Sequence, residues 1–281
     1  MTSRQAVGWL VLVCAVWGVS FVVVKGALGY VSPLMLMAIR FGIATAIIAG
    51  SLRGLRREEL VAGVILGVLF WSGFAFQTFG LRHTTPSRSA FITILSTPLV
   101  PVVHYLIYRS VPRASTVGAV LLAVVGTYLL TSPGGGFGLN YGDVLTLGCA
   151  VLFAGQIVAV GHFAPRLPIT RLLALELGVA ALLSLAASPL LETPTVVPNR
   201  LAVAALLFLG LSGLWSFYMQ LRTQQVLSPT HTALVFTLEP VFASFASYLI
   251  FAERLTPVQL AGGALILAAV AAPALERPAT A

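Results

Sequence analysis

The residue best placed to carry chemistry is Glu239, a carboxylate inside the apolar run 230–251. A charge at the centre of a membrane helix costs about 2.5–3.5 kcal/mol on insertion scales. We therefore expect this carboxylate to face the interior of a helix bundle. There it could take up a proton, bind an ammonium group, or form a structural hydrogen bond between helices.

Two prolines, Pro98 and Pro240, lie near the middle of apolar runs. A proline inside a helix removes a backbone N–H and leaves the carbonyl four residues earlier without its donor. These carbonyls belong to Ile94 and Phe236. They could face a water-filled cavity, or Ser and Thr neighbours could satisfy them in a simple packing kink.

Aromatic and amide side chains are concentrated in the runs 59–81 and 200–221. Trp71, Phe74 and Thr78 share one helical face by their spacing. An aromatic-walled cavity with a few polar groups suits an apolar or aromatic solute, although ordinary helix packing would give the same pattern. The candidate cavity-lining residues are Trp17, Ser20, Trp71, Phe74, Gln77, Thr78, Thr93, Ser96, Pro98, Gln156, Trp215, Tyr218, Gln220, Phe236 and Pro240.

Other ionisable residues within apolar runs have alternative roles. Arg40 could bind a carboxylate, but we favour a side chain that reaches the headgroups or forms a structural ion pair. Glu176 lies at a similar depth from the opposite surface, so we do not expect it to pair with Arg40. Lys25 is expected to be interfacial, and His104 and His162 to be structural.

The amino-acid composition indicates whether these apolar segments lie in water or in lipid. Of the 281 residues, 58% are hydrophobic and 9% are charged, whereas a soluble domain carries about 25% charged residues. Most of this chain is therefore expected to lie in lipid. The net charge of +8 does not indicate nucleic-acid binding, because the basic residues sit at the ends of the apolar runs.

Charge, proline and glycine bound the apolar runs, which predict ten helices, each about long enough to cross a bilayer. They cover residues 6–28, 33–52, 59–81, 87–108, 115–131, 140–162, 169–190, 200–221, 230–251 and 257–275. The glycine-rich segment 131–136 separates the fifth from the sixth. Gly63 and Gly67 are spaced for close contact between helices.

The two halves repeat each other. Residues 8–16 resemble 144–151, and residues 85–90 resemble 228–233. When a unit with an odd number of spans is duplicated in one membrane, the second copy is inverted, as in many transporters. The sequence predicts an all-α integral membrane protein of ten transmembrane helices, built as two inverted five-helix repeats that cover 1–133 and 139–281.

Most of the sixteen Lys and Arg residues lie on the side of the N-terminus. The positive-inside rule then places both termini in the cytoplasm. The first run lacks a small-residue cleavage site and is predicted to be a span, not a signal peptide. Cys14 and Cys149 are expected to be free thiols. We predict no metal, no organic cofactor and no use of ATP, since the sequence contains no phosphate-binding glycine loop.

Several motifs resemble those of the EamA family of the drug/metabolite transporter superfamily. They are Val16–Phe21, Arg40–Phe41, Ser228–Ala233, Leu238–Val241, Ala252–Thr256 and Gly262–Leu267. The resemblance covers essentially the whole chain as two tandem units, and within the family it is closest to bacterial amino-acid exporters of the YddG type. The first half has Ser110 where the second has Glu253, and Ser96 or Thr97 where it has Glu239.

The resemblance implies export or exchange of small metabolites. We predict a secondary transporter that exports amino acids, including neutral and aromatic ones, from the cytoplasm across the inner membrane, with Glu239 as the candidate coupling residue and one chain sufficient for transport. A drug or nucleoside transporter of the same fold is the alternative. A remote alternative is an intramembrane serine hydrolase that uses Ser212, in Gly210–Gly213, with His231.

Overall fold

The structure is a computed structural model that describes residues 1–109, 111, 113–131, 140–251 and 256–275. Twelve α-helices and one 3-10 helix, Ala49–Leu52, make up the described part. The α-helices are α1 Ser3–Ala27, α2 Pro33–Ile48, α3 Arg57–His83, α4 Pro86–Ile94, α5 Ser96–Tyr108, α6 Ala114–Thr131, α7 Tyr141–Phe163, α8 Ile169–Leu191, α9 Arg200–Thr223, α10 Pro229–Phe236, α11 Glu239–Phe251 and α12 Pro257–Leu275.

Local sequence signals explain where the helices begin. The side-chain oxygens of Thr85 and Ser228 accept the backbone N–H three residues later, at the starts of α4 and α10. In both, proline occupies the first helical position, where a missing N–H has no cost. Asn140 caps α7 through a reciprocal pair of hydrogen bonds with Asp143.

Seven described helical stretches are long and apolar enough to cross a membrane, and shorter apolar helices cover Ala114–Leu129 and Pro257–Val270. Within the described ranges, β-type backbone pairing is limited to a single antiparallel bridge between Val31 and Val196. The chain is therefore an all-helical, multi-pass membrane protein. The predicted junction between the halves, residues 132–139, lies outside the described residues.

Two predicted helices are divided. The run 87–108 forms α4 and α5, which meet at Leu95, and the run 230–251 forms α10 and α11, which are separated by Thr237 and Leu238. Each break comes shortly before Pro98 or Pro240, because proline cannot donate to the carbonyl of the preceding turn. The sequence predicted an interruption or a kink at these prolines, and the structure shows a break in each run.

Helices from the two halves of the chain pack against each other. Helix α3 lies along α7 and α8, α2 contacts α8 and α9, and α6 packs on α12. A Cβ atom added to Gly63 would lie 2.3 Å from Leu175 Cβ, and one on Gly67 would lie 2.6 Å from Val179 Cβ. The predicted close contact at these glycines is confirmed, between α3 and α8.

Ionic contacts lie at both ends of the bundle. At the carboxyl end of α3, Lys25 Nζ donates to the carbonyls of Leu81 at 2.6 Å and Thr84 at 2.9 Å. Beside it, Arg88 of α4 forms a 2.6 Å ion pair with the buried Asp143 of α7. At the other end, Arg171 of α8 pairs with the buried Glu59 of α3 at 2.9 Å. These contacts join α1 to the carboxyl end of α3, α4 to α7, and α8 to the amino end of α3.

Candidate functional site

A cavity of about 90 Å³ lies between α1–α5, α7 and α9–α11. The residues around both helix breaks reach it, including Ile94, Ser96, Phe236 and Glu239. Interrupted helices that line a cavity are the usual way in which membrane proteins tolerate irregular backbone at depth. The cavity is the candidate site.

Aromatic rings form much of the wall. The ring of Phe217 on α9 is the centre of this cluster, with ring centroids 4.7 Å from Phe70, 5.6 Å from Trp17 and 5.7 Å from Phe74. Phe236 lies 4.9 Å from Trp17 on another side. Tilted and edge-to-face rings at these distances attract each other and stiffen the wall.

Arg40 is a buried cation on this wall. Its residue surface is 6% exposed, and its guanidinium carbon lies 4.3 Å from the ring centroid of Phe41 and 4.7 Å from that of Phe74. Nε and Nη2 have no hydrogen-bond partner, and within the described residues no carboxylate pairs with it. The expectation of a side chain at the headgroups or in an ion pair was wrong, because the stacked rings hold the guanidinium inward.

Glu239 begins α11 and lines the same cavity. It is 6% exposed. In the part of the chain that the structure describes, its carboxylate makes neither a hydrogen bond nor an ion pair. A buried carboxylate needs a proton, water or a cationic partner. The inward position predicted for Glu239 agrees with the structure, while its coupling role stays a prediction.

A chain of buried side-chain amides joins Glu176 to the cavity. Gln156 Nε2 donates to Glu176 Oε1 at 2.8 Å, and Gln220 Nε2 donates to Gln156 Oε1 at 3.1 Å. Gln220 Nε2 also faces Gln224 Oε1 at 3.5 Å. Gln156 and Gln220 line the cavity, whereas Glu176 lies behind them with 0% exposure. As predicted, Glu176 does not pair with Arg40.

The cavity brings together most of the predicted residues. Those that line it are Trp17, Ser20, Phe74, Gln77, Thr78, Thr93, Ser96, Gln156, Gln220, Phe236 and Glu239. Their part in binding a solute stays a prediction. Trp71, Pro98, Trp215, Tyr218 and Pro240 lie outside this lining.

Trp71, Trp215 and Tyr218 lie beside or behind the lining face of their helices. On α3 the lining includes Phe70, Phe74 and Thr78, and Trp71 lies just outside this face, about 20° beyond Thr78 and about 100° from Phe70. On α9 Gly213 and Phe217 define the wall, which turns Trp215 and Tyr218 aside. These three side chains pack against neighbouring apolar clusters.

Pro98 and Pro240 each interrupt their helix about one turn before their own position. A proline removes the donor to the carbonyl four residues earlier, so the break opens at Ile94 and Phe236 while the rings lie in α5 and α11. Ile94 and Phe236 line the cavity and Pro98 and Pro240 do not. Pro240 is itself buried.

Several lining residues were missed. Phe41, Phe70, Phe153 and Phe217 form part of the wall. Helical spacing is compatible with three of them, since Phe70 precedes Phe74 by one turn and Phe153 and Phe217 precede Gln156 and Gln220 by three residues, but it fits Trp71 equally well. Phe41 carries no such signal.

The predicted histidines and cysteines are accounted for by packing. Tyr108 and His162 share a 2.8 Å hydrogen bond, and His104 lies 4.9 Å from the Tyr108 ring. Cys14 and Cys149 are free and buried, as predicted.

The geometry also bears on the hydrolase alternative. Ser212 Oγ is buried and has no hydrogen-bond partner, so it is not bonded to His231, which is exposed at the start of α10. A serine nucleophile requires a base within hydrogen-bond reach. The structure does not provide that arrangement.

Comparison with known proteins identifies the family. The EamA-like transporter family matches residues 4–132 and 140–272. The chain belongs to the EamA-like transporter family. This EamA protein is 35% identical over 262 residues to a protein of Archaeoglobus fulgidus named "Uncharacterized transporter". The matched residues make up 93% of this chain and 83% of the relative.

A second relative matches part of the EamA chain. It is "Uncharacterized transporter YyaM" of Bacillus subtilis, 29% identical over 125 residues, or 42% of this chain and 41% of the relative. A solved crystal structure has the same fold, with a TM-score of 0.79 over 96% of this chain and 98% of that chain at 23% identity. The family and these names identify a transporter.

Proposed function

We propose that this EamA protein is a secondary transporter that exports amino acids, among them neutral and aromatic ones. The observation that carries the proposal is that one aromatic cavity contains a buried arginine and a buried carboxylate, Arg40 and Glu239, which are not paired with each other. A zwitterionic amino acid has a carboxylate group for Arg40 and an ammonium group for Glu239. Its side chain would rest on the aromatic wall.

Arg40 suits the carboxylate of the substrate. Its Nε and Nη2 atoms have no partner among the described residues, and the rings of Phe41 and Phe74 hold the guanidinium in place. A guanidinium presents donors in a fixed fork that matches the two oxygens of a carboxylate. Binding would therefore supply hydrogen bonds that the described residues do not provide.

Glu239 suits the ammonium of the substrate and, in the absence of substrate, a proton. Both are cations that compensate a buried carboxylate. If Glu239 binds either a proton or the ammonium group but not both at once, inward movement of a proton can be exchanged for outward movement of an amino acid. This exchange is the coupling that we propose for export.

The proposed transport cycle uses ten spans in two inverted repeats, 1–133 and 139–281, that alternate access to the cavity. The breaks between α4 and α5 and between α10 and α11 support it, since they occur at corresponding places in the two halves. We place the protein in the cytoplasmic membrane with both termini inside. One chain is sufficient, because the cavity is enclosed by helices of a single chain.

The test uses proteoliposomes that contain only the purified protein. Phenylalanine, threonine, uridine and a lipophilic cation are loaded separately, and their efflux is followed with radiolabel in counterflow. We expect flux of the amino acids, competition between them, and little flux of uridine. Uridine flux without amino-acid flux would favour the nucleoside alternative, and flux of a lipophilic cation alone would favour a drug transporter.

A further inference from the structure

Gln220 Nε2 is directed toward the side-chain oxygens of two other glutamines. They are Gln156 Oε1 at 3.1 Å and Gln224 Oε1 at 3.5 Å. Gln220 itself lines the cavity, and among the described residues no donor reaches its Oε1. The orientation of this amide decides whether the cavity meets a donor or an acceptor here.

The orientation of Gln156 is set by Glu176. The carboxylate accepts from Gln156 Nε2 through Oε1, while Oε2 is buried without a partner. An ionised carboxylate can only accept, so it fixes the direction of this hydrogen bond. Gln156 must then turn its own oxygen toward Gln220.

The orientation of Gln224 is set independently. Its Nε2 donates to the backbone carbonyl of Ile157 at 2.8 Å. A carbonyl oxygen can only accept, so Gln224 must also turn its oxygen toward Gln220. Two unrelated acceptors, a carboxylate and a backbone carbonyl, thus impose the same orientation on one amide.

From these hydrogen bonds we infer that Glu176 is a positioning residue that makes Gln220 Oε1 a fixed acceptor for the substrate's ammonium group. The inference rests on the proposed function. An ammonium has three N–H donors that point in diverging directions, so a single carboxylate leaves at least one of them for a second acceptor. Gln220 therefore adds selectivity for an amine without adding charge to the cavity.

The corresponding amide in the first half is less constrained. Gln77 Nε2 lies 3.1 Å from Thr93 Oγ1. A hydroxyl can donate or accept, so this contact is compatible with both amide orientations. The fixed acceptor thus belongs to α9 and not to its counterpart α3.

The test measures binding to the purified full-length protein in nanodiscs by titration calorimetry. The ligands are phenylalanine, 2-phenylethylamine and 3-phenylpropionate, and the variants are Glu176→Met, Glu176→Gln and Gln220→Met. Glu58→Gln, at an exposed carboxylate on α3, is the control. Glu176→Gln removes the charge but keeps an oxygen that can accept from Gln156.

We expect Glu176→Met and Gln220→Met to weaken binding of both amine ligands by about threefold to tenfold, the range for one hydrogen bond. Binding of 3-phenylpropionate should not change, and Glu176→Gln should stay close to wild type. Equal weakening of all three ligands would mean a purely structural role and would overturn the inference. So would a loss in Glu176→Gln as large as in Glu176→Met, since charge alone would then explain it.

Failure of the proposed function has a different signature. If the wild type binds 2-phenylethylamine in a Glu176-dependent way but not phenylalanine, the amine acceptor is supported and the amino-acid proposal fails. If the wild type binds phenylalanine and no variant changes its amine preference, only the inference fails. If Glu176→Met does not fold, Gln220→Met gives the same decision.

Discussion

Arg40 and Glu239 line one cavity without pairing with each other, although both are buried. An ion pair between them would satisfy both charges and leave nothing for a solute to satisfy. Their separation keeps a cation and a carboxylate available within the same aromatic wall. A molecule that carries both charges complements the cavity better than an anion or a cation alone.

Arg40→Gln is expected to weaken amino-acid binding by about 1.5–3 kcal/mol, the contribution of hydrogen bonds to a charged group, which is roughly ten- to a hundredfold in Kd. Arg40→Lys should recover part of the affinity, since it keeps the charge but loses the fork. Titration calorimetry measures both. The control is Arg82→Gln, at an exposed position on α3. Unchanged affinity in Arg40→Gln would exclude the proposed carboxylate contact.

Glu239→Gln is expected to remove the effect of a pH gradient on transport while exchange between amino acids continues. The amide cannot exchange a proton, but it can still accept a hydrogen bond from an ammonium. Efflux from proteoliposomes, with the outer medium either acidic or matched to the lumen, measures the effect. Acid outside should accelerate efflux in the wild type and in Glu58→Gln. A gradient response that persists in Glu239→Gln would move the coupling to another group.

Gly63→Ala should destabilise the bundle by about 1–3 kcal/mol, the usual cost of extra volume in a packed interior. The added Cβ would lie 2.3 Å from Leu175 Cβ, which belongs to the facing helix. Gly8→Ala is the matched control, because nothing lies within 4 Å of its Cβ, and alanine there should be neutral or slightly stabilising. Thermal unfolding in detergent compares the two. Equal melting temperatures would contradict the close packing of α3 on α8.

Asp143→Asn is expected to destabilise the contact between α4 and α7. The carboxylate accepts from Arg88 at 2.6 Å, from Thr84 Oγ1 at 2.8 Å and from the Asn140 N–H at 2.9 Å. The arginine side chain is 38% exposed, so we expect about 1–2 kcal/mol rather than the larger cost of breaking a fully buried pair. A double-mutant cycle with Arg88→Gln isolates the pair. Additive effects would mean that the two side chains are not coupled.

The sequence by itself determined which segments are helical and where several of them begin. Long apolar runs can lie in lipid only as helices, because every backbone polar group must be satisfied within the segment. Proline and capping side chains act on their immediate neighbours, so the starts at Pro33, Pro86 and Pro229 could be predicted from a few residues. The same local reasoning placed Glu239 on the inside.

Only the tertiary structure decided which face of each helix meets the cavity. In a soluble helix the polar face marks the outside, but a membrane helix is apolar all round, so periodicity does not distinguish Phe70 from Trp71. A rotation of about 100° separates these neighbours, and packing against α7, α8 and α9 sets it. The partners of Arg40 and of Glu176 likewise come from distant segments, Phe74 on α3 and Gln156 on α7. These contacts exist only once the helices are assembled, so no local pattern encodes them.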